Sequence, residues 1–166
     1  MDGYRPRVAR LLQQRFPDTD FAFLDAGVSS TCSLTAAFRL ENEVLSQGPI
    51  DLLFVEFSVN DQQDARHPPA LSTRAMEGIV RHALTSNPAM DIVLLYTLNE
   101  HQLGQILAGE EPQEMAAHRR VVEHYHLADV DLAADIAARI RADELDWGQF
   151  GGCHPSPLGN DIYAGS

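Results

Sequence analysis

A chain of 166 residues is long enough for one domain with a real core, and its 45% apolar content supplies that core. A formal charge of −12 at pH 7 argues against the phosphates of nucleic acid and against anionic membranes as partners. All twelve basic residues are arginines, so Schiff-base chemistry and a phosphate-loop lysine are both excluded.

In chain order, VARLLQQRF (8–16) sets Val8, Leu11, Leu12 and Arg15 at helical spacing. DFAFLDA (20–26) reads as a strand, and GVSSTCS (27–33) as a loop of small residues. Over 34–47, Leu34, Ala37, Phe38, Glu41, Val44 and Leu45 form a helical stripe that Gly48-Pro49 ends. IDLLFVEF (50–57) is a near-continuous apolar run, the pattern of a parallel strand covered on both faces. Glu56 within it needs a partner, an arginine or backbone amides. A polar loop leads to a helix over 72–85 that turns Met76, Ile79, Val80, Ala83 and Leu84 inward. DIVLLYT (91–97) reads as a third strand, 98–112 as irregular, and 113–126 as a helix. LADVDL (127–132) is a short strand and 133–145 a helix; the tail GQFGGCHPSPLGND (148–161) is too rich in Gly and Pro to be regular. Such alternation predicts a single domain over 1–166, a three-layer α/β sandwich with a mostly parallel sheet.

No apolar run reaches 18 residues, and MDGYRPRVARLL lacks the apolar segment of a secretory leader, so the cytoplasm is the default expectation. Cys32 and Cys153 form no C-x-x-C pair and are too few for a disulfide framework. Two free thiols are expected, with one long-range bridge open to them only if they meet in space.

Ligands of a parallel sheet gather at the carboxyl ends of its strands. The segments expected there are 27–33, 58–61, 98–101 and 153–155. Asn60 offers an amide donor suited to a developing oxyanion, although Asn-Asp pairs also cap turns. His154 has the chemistry of a general base or acid, and equally that of an ordinary loop histidine. Ser30, or its backbone N–H, is a second candidate oxyanion donor. His67, His101, His118, His124 and His126 show no metal-ligand spacing, and His118, His124 and Tyr125 fit one amphipathic helix. G-x-G-x-x-G, G-x-x-x-x-G-K-[ST] and H-E-x-x-H are absent, so the motifs imply no cofactor, nucleotide or metal.

Three segments resemble the conserved blocks of the SGNH (GDSL-type) hydrolases. DAGVSSTCS is similar to the second block, with Ser30 at the glycine whose N–H joins the oxyanion hole. VEFSVND is similar to the third, G-x-N-D, with Ser58 for its glycine and Asn60 as the oxyanion asparagine. GGCHPSPLGN is similar to the fifth, D-x-x-H-P, with His154 as the catalytic histidine and Gly151 where the orienting aspartate stands. The resemblance implies a flavodoxin-like three-layer α/β/α sandwich and a serine esterase or acylhydrolase acting on carboxylic esters, with O-acyl groups of a sugar or small alcohol as candidates. The family's nucleophile is the serine of a Gly-Asp-Ser triplet closing a first, central strand, and that triplet occurs nowhere in this chain. Without that strand the sheet would hold a gap that another segment, a second chain or a closing-up of its neighbours must fill. The alternative is a catalytically inactive SGNH-like domain that binds a small molecule or carbohydrate. The expected partner is therefore a small-molecule ester or ligand, with self-association if a second chain fills the sheet.

Overall fold

The computed structural model describes residues 3–166, and its sheet is built on parallel strands in sequential order. Strand β1 (Leu52–Val55) pairs with β2 (Asp91–Leu95), which pairs with β3 (Ala128–Val130). Leu53 lies opposite Ile92, and Val93 opposite Ala128. Parallel neighbours require crossovers, and helices supply them: α3 (Ser58–Gln63) and α4 (Pro69–Ser86) join β1 to β2, and α5 (Glu100–Leu107) and α6 (Gln113–Tyr125) join β2 to β3. Before the sheet come α1 (Tyr4–Arg15) and α2 (Ser33–Glu43). After it come α7 (Leu132–Arg141), α8 (Trp147–Phe150) and α9 (Pro157–Gly165).

The period-two alternation of β2 divides the interior into two cores. Ile92 and Leu94 face a first core with Val55, Met76, Ile79, Val80 and Val121, closed by α2, α4 and α6. Val93 and Leu95 face a second core with Leu132, Ile136, Phe150 and Tyr163, closed by α5, α7, α8 and α9. The result is an α/β/α sandwich with a small parallel sheet.

Several sequence expectations need correction. Residues 20–26 form no strand, because a strand exists through its ladder and none of the described residues pairs with them; Phe23 and Leu24 are about half exposed. β1 is covered on one face only: Leu53 and Val55 pack into the first core, whereas Leu52 and Phe54 are 40% and 46% exposed. Among the described residues it is an edge strand of the sheet. The segment 98–112 holds α5, started by a reciprocal capping box between Asn99 and Gln102. The Gly/Pro-rich tail holds α8 and α9, the latter started by Ser156 as cap and Pro157 in its first turn. Both cysteines are free, and none of the described helices is long and apolar enough to cross a membrane.

Candidate functional site

The carboxyl ends of β1 and β2 are stitched together by side chains. Glu56 finds its partner in a backbone amide: its Oε1 accepts from Ser58 N at 2.8 Å. The Ser58 hydroxyl reaches Glu56 Oε1 and the Thr97 carbonyl, each at 2.9 Å. Gln102 Nε2 donates to Ser58 O at 3.0 Å, and Asn99 Nδ2 to Gln62 Oε1 at 2.8 Å. A serine where the resembled block has glycine therefore ties the start of α3 to the end of β2. The polar corner that ends β1 is itself helical, as α3.

Beneath that corner lies Asp61, with no exposed surface. Its Oδ1 accepts from Ser33 N at 2.8 Å; its Oδ2 accepts from Ser33 Oγ at 2.6 Å and from His118 Nε2 at 3.0 Å. One carboxylate thus joins the start of α2, α3 and the middle of α6. Burial pushes this carboxyl upward, but the hydrogen bonds from His118 and Ser33 outweigh it and hold the group below its ordinary value. Sequence reasoning passed over this pair. The available signal was the stripe Met115, His118, Val121, Val122, which places His118 on the inward face of α6.

Asn60 occupies the first turn of α3, half-buried, with its Nδ2 donating to Asp64 Oδ2 at 2.9 Å. Ser30 is exposed in the turn before α2, at a positive φ of 56°. His154 is exposed in the turn after α8, and its side chain makes no hydrogen bond or ion pair with the described residues. No hydrogen bond among the described residues joins these three. A groove of 480 Å³ is lined by Gln62 and Gln63 of α3, Asn99, Trp147, and Gly152 and Cys153, the last next to His154 in the chain; Asn60, Ser30 and His154 are not among its lining residues. The Ser33–Asp61 bonds tie the end of the 27–33 loop to α3. Gly151, where the resembled block has aspartate, stands at φ 97°, and a Cβ there would lie 2.3 Å from Ser156 N. Only glycine fits this turn.

The pattern describing the GDSL-like lipase/acylhydrolase family matches residues 1–162. No curated protein sequence matches the chain. Among solved structures, the chain is similar to a two-domain esterase active on acetylated mannans, with 25% identity and a TM-score of 0.81 over 99% of this chain. It spans 41% of the length of that esterase. An alpha/beta hydrolase enzyme from the metagenome of Lake Arreo, Spain, shares the fold at 19% identity, with a TM-score of 0.81 over 98% of this chain and 78% of the other. A variant of an acetyl xylan esterase from Geobacillus stearothermophilus does so at 21% identity, with a TM-score of 0.70 over 98% and 78%.

Proposed function

Because the chain belongs to the GDSL-like lipase/acylhydrolase family, we propose that it carries the binding and oxyanion side of an ester site for O-acylated carbohydrate. The observation that carries this reading is the placement of Asn60 at the carboxyl end of β1, on a short helix held from below by buried Asp61. Asp64 takes one N–H of the Asn60 amide, and the second is a neutral donor suited to the oxygen of an acyl carbonyl. Acetyl groups on a polysaccharide are the preferred substrate class, supported by the similar esterases active on acetylated mannans and acetyl xylan.

In the reaction this site would serve, a hydroxyl adds to the acyl carbonyl and loses its proton to His154. Asn60 and the Ser30 N–H donate to the tetrahedral oxygen, and His154 returns the proton to the departing sugar hydroxyl. The 166 residues hold no Gly-Asp-Ser triplet to supply that first hydroxyl. Among the described residues His154 has no acid partner. This second point favours a binding role for the chain by itself: it takes the acylated sugar and does not turn it over.

Two measurements test the reading. Acetylated xylo- or manno-oligosaccharide is expected to bind about tenfold more tightly than the deacetylated sugar, the worth of one added hydrogen bond. Equal affinity for both, or no binding, overturns it. Initial rates on an aryl acetate between pH 6 and 9 are expected to match those of His154→Ala. A tenfold loss in that variant, with stoichiometric labelling of one serine by an organophosphonate, would instead reveal a nucleophile inside the chain.

A further inference from the structure

A second cluster of reactive side chains lies behind the Asn60 corner, on the buried side of α3. We propose that Cys32, Asp61 and His67 form a binding site for a divalent transition ion of the zinc class. One donor atom from each residue lies within 4.8 Å of the other two. They come from three separate places in the fold: the cap of α2, the middle of α3 and the link from α3 to α4.

Geometry favours an ion over a hydrogen-bonded cluster. His67 Nδ1 lies 3.6 Å from Asp61 Oδ1, too long for a hydrogen bond. It is close to the spacing of two ligands on one tetrahedral ion: bonds of about 2.0–2.3 Å place ligand atoms roughly 3.3–3.8 Å apart. The His67 side chain is only 10% exposed, and its Nδ1 has no hydrogen-bond partner. A buried ring nitrogen in that condition calls for an explanation, and a metal bond supplies one. The remaining ligand, Cys32, is half-buried and holds only a 3.4 Å contact with Thr35 Oγ1, so its thiol is free to turn inward.

The donor set selects the class of ion. Sulfur, imidazole nitrogen and one carboxylate suit zinc and its neighbours, whereas magnesium and calcium require oxygen. Asp61 is already oriented for the task. Ser33 N, Ser33 Oγ and His118 Nε2 fix its carboxylate, the outer support that ligating groups carry in metal sites. On binding, Cys32 releases its proton to solvent and coordinates as thiolate. Three protein ligands leave a fourth position for water or an exogenous donor. The ion clamps the end of the 27–33 loop onto α3, so it would fix Ser30 relative to Asn60 whether or not the chain turns over esters. The sequence spacing gave no sign of this, because the ligands lie in different elements and meet only through the fold.

Cobalt(II) is the direct probe. The full chain, stripped with a chelator and titrated with Co²⁺, is expected to bind one equivalent with a thiolate-to-cobalt charge-transfer band and intense tetrahedral visible bands. Cys32→Ser abolishes the charge-transfer band, His67→Ala weakens binding at least tenfold, and Cys153→Ser changes neither. Zn²⁺ protects Cys32 from alkylation at least tenfold, a readout on the unmutated protein that does not depend on any variant folding. The proposal is overturned if the charge-transfer band is absent, if it survives Cys32→Ser, if it disappears with Cys153→Ser, or if Cys32 alkylates equally fast with and without Zn²⁺.

Discussion

Replacing Asp61 by asparagine changes one atom and should remove much of the stability of this fold. The wild-type carboxylate accepts three hydrogen bonds, from Ser33 N, Ser33 Oγ and His118 Nε2, with no water access. Asparagine keeps one oxygen and replaces the other by an NH₂ group. At Oδ2 that group meets two donors and at Oδ1 it meets the Ser33 N–H, so at least one of the three bonds is lost whichever way the amide turns. Breaking one partner of a buried charged network costs about 3–5 kcal/mol, against a total stability of roughly 5–15 kcal/mol for a domain. At about 2–4 °C per kcal/mol for a chain of this size, the midpoint of thermal unfolding falls by about 6–20 °C. Ser33→Ala removes only the hydroxyl bond to the carboxylate and should cost about 1.5–3 kcal/mol. Urea unfolding followed by Trp147 fluorescence, with chelator present throughout, measures both variants. A loss below about 1 kcal/mol for Asp61→Asn would show that the carboxylate is not the tie between α2, α3 and α6, and the account of the corner would fail.

Gly151→Asp restores the residue of the resembled block, yet it should destabilise the chain by more than about 1 kcal/mol and gain no esterase activity, since the site demands a positive φ and a Cβ would meet Ser156 N; stability equal to wild type would refute the clash. The tyrosines give a pH prediction. Burial, reinforced by Glu56, pushes Tyr4 up to about 12, and burial likewise raises Tyr163 and Tyr96. A folded value above the unfolded one means this contribution is complete below about pH 10 and is lost as pH rises through 12. Tyrosinate absorbance should therefore appear together with loss of the circular-dichroism signal; reversible titration of these rings near pH 10 in a native chain would contradict it.

The layers of the fold were legible because α4, α6 and β2 carry clean apolar periods, and burial enforces those periods. The helix α5 was legible in principle, through Asn99 and Gln102 as a capping pair, but its short apolar stripe of Leu103 and Ile106 carried less weight than the polar residues around it. The failure at 20–26 has a different origin. Alternation in DFAFLDA describes a residue pattern, whereas a strand also needs a neighbour, and no local feature reports whether one exists. The same limit governs the site. Asn60 and His154 could be singled out because the blocks around them are contiguous. Asp61 with His118, and Cys32 with His67, are pairings made by crossovers, and a single sequence contains no record of them.

The split interior has a consequence for how the molecule opens. The second core draws its buried residues from Leu95 onward, and α1 buries none of its own. That helix is held to α9 by an edge contact between Tyr4 and Tyr163 at 5.8 Å and by Arg7 on the Pro157 carbonyl at 2.7 Å. Undoing this clasp uncovers Tyr4 and the side of Tyr163 it covers, and no residue of the first core. Amide hydrogens of 4–31 should therefore exchange through a small local excursion, while those of α4 wait for the whole domain to unfold. The boundary between the two regimes falls at Ser33, where the backbone is bonded to Asp61. Ser30 lies on the yielding side of that boundary and Asn60 on the firm side, so a ligand that engages both would slow exchange in the first segment far more than in the second.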